Sequence, residues 1–541
     1  MKRWFNKHGP LILLCLFHLA ANFFWLIKDQ TPPAWDQAAH LRISFLFYRW
    51  LTFSSRFSLV EIIRQSGGYP PLIHFLAGVW SLFAGVSLDW LTFFHSFFLI
   101  LTLVGLYRLS FLLTKDWRLS FSAGLLFSFF PIITEAARNF LLDLPLTAWL
   151  VGALYFYFRS NFLARKNESL LFGLCLVLAS LTKLNGFIYF IPLVLFSFFQ
   201  VVFRQKKKIF SHLVLIAGVY LLGVGWWWLV NYQNIFQYLT GLAGQGEPVT
   251  DPMNLLSWPT WIHYFKLFFL HQLMPLPATI FLASFYLWQK REKNHQRRQL
   301  ILLFLLGNYF IFTVIRNKDM RFTMPLLPAV AIIFAFGLRQ IKRINLRAYQ
   351  LISLLLIVYL GLHYLVNSFE WPFKKEYYLA VKTFLLGDVD LINFSDYPVR
   401  SPKTQVWPQK EVLTDLASLA VNKREKIKVL VLINREEVND NNLALWRELL
   451  GLGELIDFGS VGSRSRFESQ KELISHLKNF DYVLVPDSNY QPAPFYGINL
   501  EAYRQARDFV LTHRQLFSFL SQYQVFGNKR LFLVKVNPSL F

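Results

Sequence analysis

The chain has 541 residues, of which 55% are hydrophobic and only 16% charged, well below the quarter or so usual for a soluble globular protein. Its net charge is +23, yet the cations lie in clusters between apolar runs, which is how a membrane protein distributes charge and argues against a nucleic-acid partner. Residues 369–541 hold 22 Lys and Arg against 20 Asp and Glu, so +21 of the +23 lies before residue 369.

The first apolar segment runs from Pro10 to Ile27 behind Lys2, Arg3 and Lys7. It is long for a signal peptide, and Phe23, Phe24 and Trp25 make a poor cleavage site, so it reads as an uncleaved helix with a cytoplasmic N-terminus. Further spans are predicted near 91–113, 118–134, 144–158, 168–182, 186–203, 209–230, 263–288, 299–315, 323–338 and 349–367, eleven with the first. Basic clusters occupy every second connection: Arg108/Lys115/Arg118, Arg159/Arg165/Lys166, Arg204/Lys206/Lys207/Lys208, Lys290/Arg291/Lys293/Arg297/Arg298 and Arg339/Lys342/Arg343/Arg347. The alternation fits the positive-inside rule when those connections are cytoplasmic. Counting the apolar stretch 69–87 as a full crossing would invert every later loop, so it is expected to be a re-entrant or interfacial helix. The two cysteines, Cys15 and Cys175, both lie inside apolar runs and have no ligand or disulfide spacing.

After Trp371-Pro372 the pattern becomes that of a small soluble domain. Short β-rich runs at 429–434, 481–486 and 531–536 alternate with helical stretches at 441–450 and 468–479, the second opened by the capping box Ser469-x-x-Glu472. Gly451-Leu-Gly453 follows a helix and reads as its C-cap rather than as a phosphate loop. The fold class is therefore an α-helical polytopic membrane protein with a C-terminal soluble α/β domain. The division falls into residues 1–368, with 28–90 as the first outer loop, and an extracytoplasmic domain over 369–541.

The unusual polar residues sit in the outer loops. Asp36 follows Thr31-Pro32-Pro33-Ala34-Trp35 and opens a helix whose apolar positions Leu41, Phe45, Tyr48 and Leu51 suggest an amphipathic helix on the membrane surface. Asp36 and His40 share one face at i,i+4. Asp36 has two compatible readings, an N-cap and a base. Gly67-Gly68-Tyr69-Pro70-Pro71-Leu72 is a flexible joint before a rigid double proline. Arg138 and Asp143, near the membrane boundary in Glu135-Ala-Ala-Arg138-Asn139-Phe-Leu-Leu-Asp143-Leu-Pro145, are either a mutual structural ion pair or functional charges. Thr182-Lys183-Leu-Asn185-Gly186 puts a lysine in a short outer turn. Arg316-Asn317-Lys318-Asp319-Met320-Arg321 breaks the positive-inside pattern; its cations either snorkel to headgroups or meet an anion such as a lipid phosphate.

In order and spacing these segments (WDQAAH, YPPL, ARNFLLDLPLT, TKLNG and RFTMPLLPA) resemble the polytopic glycosyltransferases of the C-type fold. The likeness is strongest to bacterial relatives of protein O-mannosyltransferases and of lipid A aminoarabinose transferases, and it covers about residues 10–340. It implies an inverting, cell-envelope glycosyltransferase in the plasma membrane, with Asp36 as general base on the acceptor hydroxyl and a polyprenyl-phosphate-linked sugar as donor. It further implies that Arg138, Lys183 and Arg321 hold the donor phosphate, that Asp143 positions Arg138 or the sugar, and that Tyr69 lies near the donor. Gln37 stands where family members commonly carry a second acid, which leaves the base intact and weakens any metal role. A divalent metal remains an open cofactor, with His40 a ligand in principle and a hydrogen-bonding group by preference. The partners implied are the bilayer, the lipid-linked donor and a protein, lipid or glycan acceptor. A transporter or flippase, an oligosaccharide ligase and a non-catalytic scaffold are the rival readings.

Overall fold

The computed structural model describes residues 2–240, 252–374, 378–383, 387–394, 399–462, 464–487, 500–525, 529–537 and 539. The chain divides into two compact units: Met1–Asp29, Arg56–Tyr238 and Pro252–Pro402 form the first; Gln30–Ser55, Leu239–Asp251 and Lys403–Phe541 form the second.

The first unit is helical. In chain order it contains α1 (Lys2–Lys28), α3 (Leu59–Gln65), α4 (Leu72–Ala84), α5 (Leu88–Thr114), α6 (Trp117–Ser128), α7 (Pro131–Ala136), α8 (Asp143–Arg159), α9 (Lys166–Thr182), α10 (Ile191–Arg204) and α11 (Lys207–Thr240). There follow α12 (Trp258–Leu267), α13 (Pro275–Arg291), α14 (His295–Val314), α15 (Leu327–Ile344), α16 (Leu346–Phe369) and a hairpin of β1 (Tyr378–Thr383) with β2 (Gly387–Asn393). Among the described residues seven helices are long and apolar enough to cross a membrane, or eight if one bent pair counts as a single span. The chain is thus a multi-pass membrane protein, but length and composition do not deliver the eleven spans expected. α8 and α9 have 17 residues each, about 26 Å at 1.5 Å per residue, short of a hydrocarbon core of roughly 30 Å. α6 has only 12, because Pro131 starts a separate short helix.

The span expected at 263–288 is two helices, not one. α12 continues as a π-helical turn over Phe268–Gln272, and α13 then leaves at 118°. Met274 has φ 72°, and Pro275 and Pro277 begin the new helix; the Met-Pro junction cannot continue the old one. The stretch at 69–87 yields the 13-residue α4, about 20 Å long, too short for a crossing.

The second unit joins α2 (Trp35–Leu51) to an α/β layer. Its strands are β3 (Ile427–Val431), β4 (Ile456–Gly459), β5 (Tyr482–Pro486), β6 (Phe517–Gln524) and β7 (Arg530–Val536), in the order β4-β3-β5-β7-β6. β3 runs parallel to β4 and β5, while β7 is antiparallel to β5 and to β6. The helices are α17 (Gln409–Lys423), α18 (Asp440–Leu449), α19 (Gln470–Leu477) and α20 (Leu500–Thr512). Alternation along β3 builds two cores: Val429 and Val431 pack with Leu413, Leu416 and Leu443 on one face, and Leu430 and Leu432 with Leu473, Leu477 and Val510 on the other. A strand covered on both faces reads as an unbroken apolar run, which is why it was visible in the sequence. α17, α20, β4 and β6 were not foreseen. Ser469 caps α19 through the Glu472 N–H, but the Glu472 carboxylate accepts from the Glu468 N–H, so only half of the expected box forms.

Candidate functional site

The helical unit concentrates its polar groups where two non-helical segments meet. α9 ends at Thr182, Lys183 adopts an extended backbone, and Leu184–Phe190 forms a 3-10 turn. Gly186 donates its N–H to the Lys183 carbonyl at 2.8 Å. A Cβ on Gly186 would lie 2.3 Å from the Ala179 carbonyl oxygen, so only glycine lets this turn fold back on α9. Gly186→Ala is expected to cost about 1–3 kcal/mol through this overlap and to displace Lys183; thermal unfolding of the purified variant measures the cost.

The Lys183 ammonium reaches the Asp143 carboxylate at 2.6 Å, and the Asp143 side chain is 2% exposed. Asp143 therefore pairs with Lys183, and the mutual pair with Arg138, one of the two readings the sequence left open, does not form. The physical reason is placement: Asp143 opens α8, whose first turn faces the end of α9, and Trp149 on α8 donates to Thr182 at 3.0 Å. Lys183 also stands 5.1 Å from the centre of the Phe322 ring. Tyr189 donates its hydroxyl to the Phe322 carbonyl at 2.8 Å, tying the TKLNG turn to the second segment.

That second segment is the 3-10 helix Met320–Leu326, capped by Asp319. The Asp319 carboxylate accepts the Arg321 N–H at 2.8 Å and its guanidinium at 2.8 and 2.5 Å. Burial pushes the Asp319 carboxyl up, but Arg321, with Lys183 adding its charge, outweighs it and holds the group below its ordinary value. Gln272 fastens the segment from beneath, donating to the Met320 carbonyl at 2.6 Å and to Thr323 at 2.8 Å. Lys318 is not a surface cation: its ammonium donates to the Thr313 and Ile315 carbonyls at the end of α14. The cluster thus holds two acids, Asp143 and Asp319, and two bases, Lys183 and Arg321. Sequence reasoning missed Asp319, Tyr189 and Phe322 as members, although Asp319-Met-Arg321 spacing was a signal for the local pair.

Arg138 lies elsewhere. It is 2% exposed and donates to Asn22 at 3.1 Å, Ser368 at 2.7 Å and Tyr364 at 3.1 Å. The rings of Trp25, Tyr364 and Phe369 stand 5.3–5.6 Å from it. This fork joins α1, the turn before α8, and α16. Arg138→Lys loses the fork geometry and is expected to lower stability by about 2 kcal/mol, read as an earlier thermal transition in detergent. Tyr69 is half-buried, and its backbone is fixed by Ser66, whose hydroxyl donates to the Tyr69 carbonyl at 2.8 Å.

Asp36 belongs to the second unit. The N-cap of α2 is Ala34 and carries no side-chain bond, so Asp36 sits inside the first turn and is not the cap. There the helix dipole favours its negative charge. Gln37 is half-buried beside it, and His40 is buried one turn on. α2 is not an amphipathic helix with one wet face: Ala38, His40, Leu41, Ile43, Ser44, Leu46 and Phe47 are all buried, and it packs against α18. No group of three or more His, Cys, Asp or Glu side chains converges among the described residues, so no ligand set for a divalent metal is assembled there.

Comparison with known proteins places this architecture. The family profile described as dolichyl-phosphate-mannose-protein mannosyltransferase matches residues 58–240, a stretch holding Tyr69, Arg138, Asp143 and Lys183 but neither Asp36 nor Arg321. The crystal structure of ArnT from Cupriavidus metallidurans bound to undecaprenyl phosphate aligns with a TM-score of 0.55 at 13% identity, covering 98% of each chain. The same protein in the apo state gives 0.57 at 14% identity, covering 98% of this chain and 99% of that one. An uncharacterized protein of Aquifex aeolicus is 26% identical over 386 residues, 69% of this chain and 72% of its own. The chain has an ArnT-like fold and resembles the polytopic glycosyltransferases of the C-type fold.

Proposed function

We propose that this protein is an inverting glycosyltransferase that moves a sugar from a polyprenyl-phosphate donor to an acceptor at the outer face of the plasma membrane. The observation that carries the reading is the meeting of Lys183–Asp143 with Asp319–Arg321 in the helical unit. Two cations, each pinned by its own acid, suit a phosphate ester whose charge grows as it leaves. Lipid-linked donors fit, since undecaprenyl phosphate is the ligand in the ArnT structure.

Asp36 takes the proton of the acceptor hydroxyl as that oxygen bonds to the anomeric carbon. The carbon–oxygen bond to the phosphate breaks, its electron pair stays with the polyprenyl phosphate, and the sugar inverts. Lys183 and Arg321 bind the departing phosphate oxygens, while Asp143 and Asp319 hold the two cations in position. Gln37, His40 and Tyr69 position the sugar or acceptor, and Arg138 supports the helices behind. The acceptor is a hydroxyl-bearing protein, lipid or glycan.

The test is transfer of label from a panel of polyprenyl-phosphate sugars in membranes containing the protein. Label is expected in an acceptor whose new glycosidic bond has the opposite anomeric configuration. A retained configuration would overturn the direct displacement.

A further inference from the structure

We propose that the α/β layer is the positioning device for Asp36, through Asn434 and Glu448, which grip one stripe of α2. This rests on the reading of Asp36 as the base.

Trp35, Arg42 and Arg49 recur every seven residues, which keeps them on one face of the helix. All three meet the α/β layer. The Trp35 indole donates to Asn434 at 2.8 Å, and Asn434 lies just beyond β3, at the carboxyl edge of the parallel strands. Two turns on, Arg42 is half-buried and within electrostatic reach of Glu448 and Arg447. A further two turns on, the Arg49 guanidinium stands 3.6 Å from the Glu448 carboxylate. Glu448 is only 6% exposed and also accepts from Arg447 at 2.7 Å. A Cβ on Gly453 would stand 3.2 Å from its carboxylate, so the pocket around it is close-fitting.

One buried carboxylate thus faces three guanidinium groups, two of them from α2. Arg447 is anchored in turn to the Ile456 carbonyl at 3.2 Å and to Asp457 at 3.4 Å, which joins the grip to β4. Asn439 opens α18 with a reciprocal cap to Asn442, fixing the helix along which α2 lies. Asp36, one residue on from Trp35, is rotated about 100° off this stripe and stays half-exposed. The indole bond therefore locks the turn that bears the carboxylate. Asn434 and Glu448 act through α2, so they are positioning residues and not catalytic ones. A displacement of about 1 Å in a catalytic group costs on the order of a hundredfold in rate.

The full chain in lipid nanodiscs, as Glu448→Gln, Asn434→Ala, Asn434→Asp and wild type, tests this by amide hydrogen exchange and by donor turnover. Glu448→Gln is expected to raise exchange across α2 by about tenfold or more while β3, β5 and the helical unit keep theirs. Asn434→Ala is expected to lower kcat by roughly 10- to 100-fold with KM for the donor unchanged. Asn434→Asp, which keeps an acceptor for the indole, is expected to restore most of it. Unchanged α2 exchange in Glu448→Gln overturns the grip. Raised exchange with wild-type kcat overturns the positioning role. A wild type that consumes no donor removes the Asp36 reading and the positioning role with it, whereas the exchange result still decides whether the grip exists.

Discussion

Asp36→Asn is expected to lower donor consumption by about a hundredfold to ten-thousandfold while leaving the protein folded. The substitution is nearly isosteric, and the N-cap of α2 is Ala34 rather than Asp36. Asparagine keeps a hydrogen-bond acceptor for the hydroxyl but cannot take its proton. The effect should therefore fall on kcat, with donor binding preserved, because Lys183 and Arg321 are untouched. Thermal unfolding within a degree or two of wild type, beside the lost turnover, would separate chemistry from folding. Turnover at the wild-type rate would move the base to another residue.

Lys183→Met should be the most damaging change to the helical unit. It leaves the Asp143 carboxylate, 2% exposed, without its partner. Removing one member of a buried pair costs about 3–5 kcal/mol. The double variant Lys183→Met with Asp143→Leu removes both charges together and is expected to recover most of that stability. It should not recover donor binding, because the phosphate has lost a cation. The two variants thus separate a structural pair from a phosphate site. If the double variant regains both stability and turnover, the pair is structural only, and Arg321 alone serves the donor.

The membrane class was legible because its cause is one-dimensional: apolar runs and alternating cations follow from the bilayer. The non-spanning length of α4 followed from the same bookkeeping of charge. The segments around Lys183 and Arg321, assigned to one face by the alternation, do meet through Phe322. Pairing within that cluster was not legible. Arg138 and Asp143 are five residues apart, yet α8 turns Asp143 toward Lys183 while Arg138 faces α1 and α16. Choosing between such partners needs the direction of a helix start, which spacing does not give. The break at Met274 was missed although Met-Pro-Leu-Pro announced it, because the apolar composition continued straight through.

The largest misreading concerned α2. Its apolar positions at Leu41, Phe45, Tyr48 and Leu51 suggested a surface helix, but Phe45, Tyr48 and Leu51 are only half-buried and the packing against α18 decides the buried set. The informative period was the heptad Trp35, Arg42 and Arg49, hidden because arginines on an apolar helix ordinarily read as snorkelling cations. Their partners, Asn434 and Glu448, lie about four hundred residues away in sequence, beyond any local pattern.

The most direct measurement follows a doubly labelled polyprenyl-phosphate sugar, one label on the lipid and one on the sugar, in proteoliposomes containing the purified protein and an acceptor extract. The account predicts that the labels part, with polyprenyl phosphate remaining in the membrane and the sugar appearing on acceptor. If the labels stay together and the intact lipid-linked sugar moves between leaflets, the protein is a carrier, and the transferase account is wrong.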